Sequence, residues 1–126
     1  MNKCDLLFDF YEIAQSNGFF ANGIDETVVW FDMFYRPAKE LGGFCIMAGV
    51  ETFAQYIKNL KFSEEDLEFL KSKGMGDEFI DYLRNFSFTC DIWAVPEGTP
   101  IFANEPVIKV HGPIIQAQML ETIILL

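Results

Sequence analysis

The order of residues predicts an α+β domain in which helices dominate the first two thirds and short extended runs follow. Three observations predict it. Apolar residues recur at helical spacing in four stretches before residue 88. One run, TVVWFDMFYR, is β-branched and aromatic throughout. Beyond Phe88 the runs CDIWAV, PIFA and VIKV are separated by the proline-bearing turns PEGTP and NEP, the pattern of a small antiparallel sheet or β-hammerhead.

Residues 5–17, DLLFDFYEIAQSN, place Leu6, Phe10, Ile13 and Asn17 near one helical stripe, with Leu7, Tyr11 and Ala14 beside it, and Gly18 is the expected stop. A turn at Ala21, Asn22 and Gly23 leads to a long strand over residues 27–36, ended by Pro37. After the PAKELGG loop comes a short apolar run, residues 44–48, and Gly49 then opens a helix, VETFAQYIKNL. Ser63 followed by Asp66 is a capping-box pattern, which predicts a helix whose first-turn carboxylates complement its dipole. Gly74 and Gly76 break it. A further helix presents Phe79, Ile80, Leu83 and Phe86 at helical spacing. Residues 114–126 are expected as one apolar helix with Ile115, Met119, Ile123 and Leu126 on one side. That helix has no closing cap, so the chain is expected to be one domain, residues 1–126, cut before a continuation.

Composition narrows the function. With 51% apolar residues and 14 Phe, 126 residues can fill a sizeable core. A formal charge of −10, spread along the chain, argues against nucleic acid as a partner, because phosphate backbones require a basic footprint. Cys4, Cys45 and Cys90 are too widely spaced for a metal knuckle, a redox pair or a disulfide framework, and predict reduced thiols in a cytoplasm. No apolar run approaches the ~20 residues that cross a bilayer, and Asp5 and Asp9 interrupt any signal-peptide core, so neither membrane nor export is expected. His111 is expected to be an ordinary turn or sheet-edge histidine, and no metal ligand is assigned.

Four collinear segments carry a resemblance: LLFDFYEIAQSNGFF, FDMFYR, GGFCIMAGVE and the long stretch from GDEFIDYLRNF to ETIILL. Together they resemble the amino-terminal region of the nicotinate phosphoribosyltransferases, within the type II phosphoribosyltransferases. The EG, NEP, GP and ET pairs, kept in order over almost the whole chain, make the match specific. It implies an open-faced α+β sandwich, α/β-hammerhead-like, that packs on an α/β barrel supplied by later sequence. Enzymes of that family join nicotinate to phosphoribosyl pyrophosphate, forming nicotinate mononucleotide and pyrophosphate in NAD salvage. They use Mg²⁺ and ATP, the latter through a barrel histidine that His111 does not match. The resemblance further implies a homodimer and a 126-residue piece that is inactive alone and binds no cofactor by itself. An alternative is a non-catalytic interaction or regulatory module that pairs with a separate barrel chain. The nicotinamide-using branch resembles EGTPIFANEP and TCDIWAV less closely.

Three site residues follow from the resemblance. Tyr11 matches a tyrosine that stacks on the pyridine ring of nicotinate in a neighbouring subunit's site, a task that suits a broad aromatic face; its composition-level alternative is a packed core tyrosine. Asp9 matches a residue of the same pocket, where a carboxylate could orient ribose hydroxyls or Mg²⁺; a charge favouring the helix dipole is the other reading, and both stand. A frayed first turn would let Asp9 and Tyr11 approach one pocket. Arg36 matches a phosphate contact, for which a guanidinium fork has the geometry; the plain alternative is a surface ion pair. Glu97-Gly98 and Glu105-Pro106 read as turns whose carboxylates, with Glu121, could meet the barrel. Phe8 stands where the family commonly has threonine, IAQSN replaces the commoner LTMAQ, and PAKELGG departs from the usual glycine-rich run.

Overall fold

The computed structural model describes residues 7–37 and 42–126. Readings that rest on Lys3, Cys4, Asp5 and Leu6, or on residues 38–41 of the PAKELGG loop, lie outside them.

The first helix, α1 (Phe10–Ala21), begins later and runs further than its apolar spacing suggested. Asp9 is its N-cap residue in extended conformation. Gly18 is an interior residue and not the stop; its carbonyl accepts both the backbone N–H (3.1 Å) and the side-chain amide (2.7 Å) of Asn22, which closes the helix. The buried face also differs from the expected stripe. Glu12, Ile13 and Ser16 are buried, whereas Phe10 is 55% exposed.

β1 (Val28–Met33) is shorter than the predicted strand because its partner ends. It pairs antiparallel with β5 (Ile108–Pro113) from Val28 opposite Pro113 to Met33 opposite Ile108. Residues 34–36 face a turn instead, where the Asn104 N–H donates to the Tyr35 carbonyl at 2.9 Å. β3 (Asp91–Ala94) pairs antiparallel with the other edge of β5, giving the order β1-β5-β3. β2 (Cys45–Ile46) and β4 (Pro100–Ile101) form a separate two-stranded antiparallel pair.

Between β2 and β3 lie α2 (Val50–Lys58), α3 (Glu64–Ser72) and α4 (Asp77–Arg84). Gly49 precedes α2 at φ 97°, a left-handed conformation that glycine adopts without steric cost. The expected capping box forms at α3: Ser63 Oγ accepts the Asp66 N–H at 3.2 Å, and Asp66 accepts the Ser63 N–H at 2.8 Å. The last stretch is two short helices and not one, α5 (Ile114–Gln118) and α6 (Glu121–Leu125).

That break has a packing reason. One buried cluster joins α1, α3 and α4 through Ile13, Leu67, Phe79 and Leu83, with Ile115 and Met119 pressed into it. A second lies under the sheets, where Met47, Phe53, Ile108 and Val110 meet Ala117 and Leu120. Met119 and Leu120 are adjacent, fully buried and committed to different clusters. The chain therefore bends there, and the carboxy-terminal segment ties the helical layer to the sheet layer. Burial of each large side chain supplies about 1.5–3 kcal/mol.

Candidate functional site

The bend at Met119-Leu120 delivers Glu121 and Thr122 to the first turn of α1, and the contacts there are sequential. Tyr11 interacts with the Glu121 carboxylate, while Glu12 accepts from Thr122. Two consecutive residues of α1 thus meet two consecutive residues of α6.

Tyr11 is not a core residue: its ring is 41% exposed. The hydrogen bond to Glu121 is the main cause that pushes its phenol up to about 12, with partial burial and the charges of Glu121, Glu12 and Asp9 adding to it. The hydroxyl therefore keeps its proton well beyond the ordinary tyrosine range. Glu121 also accepts the Gln118 side-chain amide at 3.2 Å.

Glu121 reaches a second feature. It lines a cavity of about 390 Å³ together with Trp30, Asp32, Phe34, Arg36 and Leu125. Arg36 lies past the end of β1, its guanidinium carbon 5.7 Å from the centre of the Phe34 ring, in the range of a cation–π contact. Among the described residues Arg36 makes no ion pair, so the surface-pair alternative finds no partner there. Glu121 thus interacts with Tyr11 and lines the cavity that holds Arg36.

Asp9 is placed differently. Its side chain makes no cap hydrogen bond, and it lines another cavity, about 410 Å³, with Phe8, Phe10, Asp66 and Phe69. Asp9 and Arg36 do not share a cavity. The Asp9 backbone N–H nevertheless donates to Thr122 Oγ1 at 3.2 Å, so its main chain belongs to the same junction. Among the described residues no group of three or more His, Cys, Asp or Glu side chains converges.

Two other assignments change. His111 sits on β5, the central strand, and not at an edge; its ring stacks on Trp30 at 4.0 Å, and Trp93 lies 5.5 Å from Trp30. Glu97 caps a helix within this chain, accepting the Glu51 N–H at 3.2 Å at the start of α2. The residue that sequence reasoning passed over is Glu12. It is fully buried, its Oε1 accepts the Thr122 N–H (2.8 Å) and Oγ1–H (2.9 Å), and burial pushes its carboxyl above the ordinary range. The available signal was its position between Tyr11 and Ile13, one turn before the small Ser16.

These features define an α+β domain with open sheets and, among the described residues, no barrel. Residues 6–126 match the family profile of the nicotinate phosphoribosyltransferase N-terminal domain, and the chain belongs to that family. It is 36% identical over 121 residues to nicotinate phosphoribosyltransferase pncB2 of Mycobacterium tuberculosis, covering 95% of this chain and 26% of that protein. It is 36% identical over 118 residues to the nicotinate phosphoribosyltransferase of Bacillus subtilis, covering 93% of this chain and 24% of that protein. The crystal structure of human nicotinic acid phosphoribosyltransferase superposes with a TM-score of 0.87 at 27% identity, over 95% of this chain and 25% of that one. The chain thus spans about a quarter of the length of these relatives.

Proposed function

We propose that this chain forms the nicotinate-facing wall of a phosphoribosyltransferase whose remaining walls belong to a barrel domain. In the complete enzyme nicotinate and phosphoribosyl pyrophosphate yield nicotinate mononucleotide and pyrophosphate, coupled to ATP hydrolysis, in cytoplasmic NAD salvage. One observation carries the reading: an exposed tyrosine that interacts with Glu121, a residue that also lines a cavity holding an Arg36 without an ion pair among the described residues. A ring so held offers a flat face to a pyridine, and stacking on a heteroaromatic acid needs little else from this side. Arg36 supplies a phosphate-binding fork in the cavity that Glu121 lines. Asp9 faces a different cavity and contributes to the ligand only if a partner subunit closes over both.

Phosphoribosyl transfer develops positive charge on the ribose, and the pyrophosphate must be fixed while the ring nitrogen attacks. Nine basic residues distributed along an acidic chain do not build a pyrophosphate cradle. Mg²⁺, ATP and that cradle are therefore assigned to the barrel, the chain alone is inactive, and the complete enzyme is a homodimer in which this wall faces the partner's barrel. Steady-state kinetics of Tyr11→Ala and Tyr11→Phe in the complete enzyme test the stacking role, with circular dichroism as the folding control. The Ala variant raises the nicotinate KM and lowers turnover, and the Phe variant costs less. Unchanged kinetics for Tyr11→Ala would sink it.

A further inference from the structure

Glu12 neighbours Tyr11 in sequence but points the other way, into the junction between α1 and α6. We infer that Glu12, acting through Thr122, is a positioning residue that holds the Tyr11 face of α1 against α6.

The hydrogen bonds form a closed chain. The Asp9 backbone N–H donates to Thr122 Oγ1 (3.2 Å), Thr122 Oγ1–H donates to Glu12 Oε1 (2.9 Å), and the Thr122 N–H donates to the same oxygen (2.8 Å). Glu12 is further fixed within α1, where its N–H donates to the Asp9 carbonyl (3.0 Å) and its carbonyl accepts Ser16 Oγ (2.7 Å). The N-cap of α1, its first turn and the start of α6 are joined over a separation of 110 residues through one fully buried side chain. Without that link Tyr11 has only the exposed Glu121 carboxylate to set its angle.

The other oxygen, Oε2, is buried and has no hydrogen-bond partner among the described residues. A charged oxygen left bare in that position costs more than a neutral one. Burial raises the affinity of the carboxyl for a proton, and the two Thr122 donors oppose it. Glu121 on α6 also raises that affinity, Asp9 and Tyr11 are the ionisable neighbours on its own segment, and α5, which also packs on α1, carries no ionisable residue. α4 meets α1 through aromatic rings, Phe20 with Phe79 and Tyr82, and its Arg84 is committed to Glu64 and Asp81. No cation reaches Glu12 from these elements. The clamp therefore rests on Oε1, which accepts both Thr122 donors, while Oε2 makes no hydrogen bond among the described residues.

The geometry predicts an ordering: Gln retains an acceptor oxygen for Thr122, whereas Ala and Asp remove or misplace it. In this chain, carbon-13 NMR of labelled glutamate is expected to show one carboxyl, absent in Glu12→Gln, that titrates above the exposed glutamates. The Thr122 amide resonance should stay near its native position in Glu12→Gln and move in Thr122→Val, which loses Oγ1 but keeps the side-chain shape. Glu12 titrating with the exposed glutamates, or a Thr122 amide displaced equally by Gln and by Ala, would overturn the inference. In the complete enzyme, where the consequence for nicotinate rests on the function proposed above, Glu12→Ala raises the nicotinate KM as Tyr11→Ala does, and Glu12→Gln rescues it. A native-like KM in Glu12→Ala counts against the positioning role. If Tyr11→Ala leaves the kinetics unchanged while the NMR ordering holds, the clamp stands and the stacking role falls.

Discussion

Gly112 is the position in this fold where a single methyl group would do the most damage. It lies on the central strand β5 between β1 and β3, buried, with the chain of Cys90 passing directly over it. A Cβ built on Gly112 would sit 2.5 Å from Cys90 Sγ and 3.0 Å from both Cys90 Cα and Cβ. Its φ of 157° also lies in a region that residues with a side chain rarely adopt, so backbone strain adds to the clash. Sγ can rotate away, but Cα and Cβ belong to the chain and move only if the segment leading into β3 moves off β5. Overpacking of this kind costs about 1–3 kcal/mol, and the fixed part of the clash places Gly112→Ala near the upper end. For a chain of this length that is a fall in Tm of roughly 10 °C, read by thermal denaturation followed by circular dichroism. Adding Cys90→Ala removes the 2.5 Å contact and leaves the two at 3.0 Å, so the double variant recovers part of the loss. A Gly112→Ala protein melting with the unsubstituted chain, or full recovery in the double variant, would refute the account of how β3 and β5 approach.

Other outcomes follow from the site and its supports. Arg36→Ala in the complete enzyme should weaken phosphoribosyl pyrophosphate binding by about 10- to 100-fold, the worth of a hydrogen bond to a charged group, with the melting temperature little changed; equal affinity by calorimetry would contradict the phosphate role. The Tyr11 phenol, held up to about 12 by Glu121, favours the protonated ring, so the tie to Glu121 is complete below the ordinary tyrosine range and is lost as pH rises through about 12. Glu121→Gln should bring the Tyr11 titration back toward that ordinary range in NMR of ring-labelled tyrosine. Ser63→Ala removes one half of the α3 capping box and should cost about 1 kcal/mol, visible as a lower denaturation midpoint with an unchanged slope.

What could be read from the residue order was whatever is decided within a few positions. The Ser63–Asp66 box, the Asn22-Gly23 turn and the left-handed Gly49 before α2 are local hydrogen-bond and steric matters, and each forms. The strand formed by residues 28–33 was legible, but its end was not, because the limit is set by β5 some 75 residues later. α1 shows the same division. Its helical period was evident, yet the buried face turned out to carry Glu12 and Ser16 and leave Phe10 in solvent, since the deciding partner is Thr122. The break at Met119-Leu120 depends on two clusters competing for adjacent side chains, and no periodicity shows that. Tyr11 and Arg36 as candidates came from resemblance; that Glu121 interacts with the one and lines the cavity of the other came from the fold.

The contact with Glu121 bears on why an exposed residue can serve a defined geometry at all. An exposed tyrosine on a surface helix ordinarily samples several rotamers, and a ligand that needs one of them loses affinity in selecting it. Here the ring is set at both ends of its own turn: its hydroxyl is held by Glu121 from outside, and its backbone is held through Glu12 and Thr122 from inside. Residues 121 and 122 are in turn fixed because Met119 and Leu120, immediately before them, are fully buried in separate cores. Core packing thus sets the position of a surface side chain across only two or three residues. A substitution that loosens Met119, far from any ligand, should therefore broaden the Tyr11 ring resonances before it lowers overall stability.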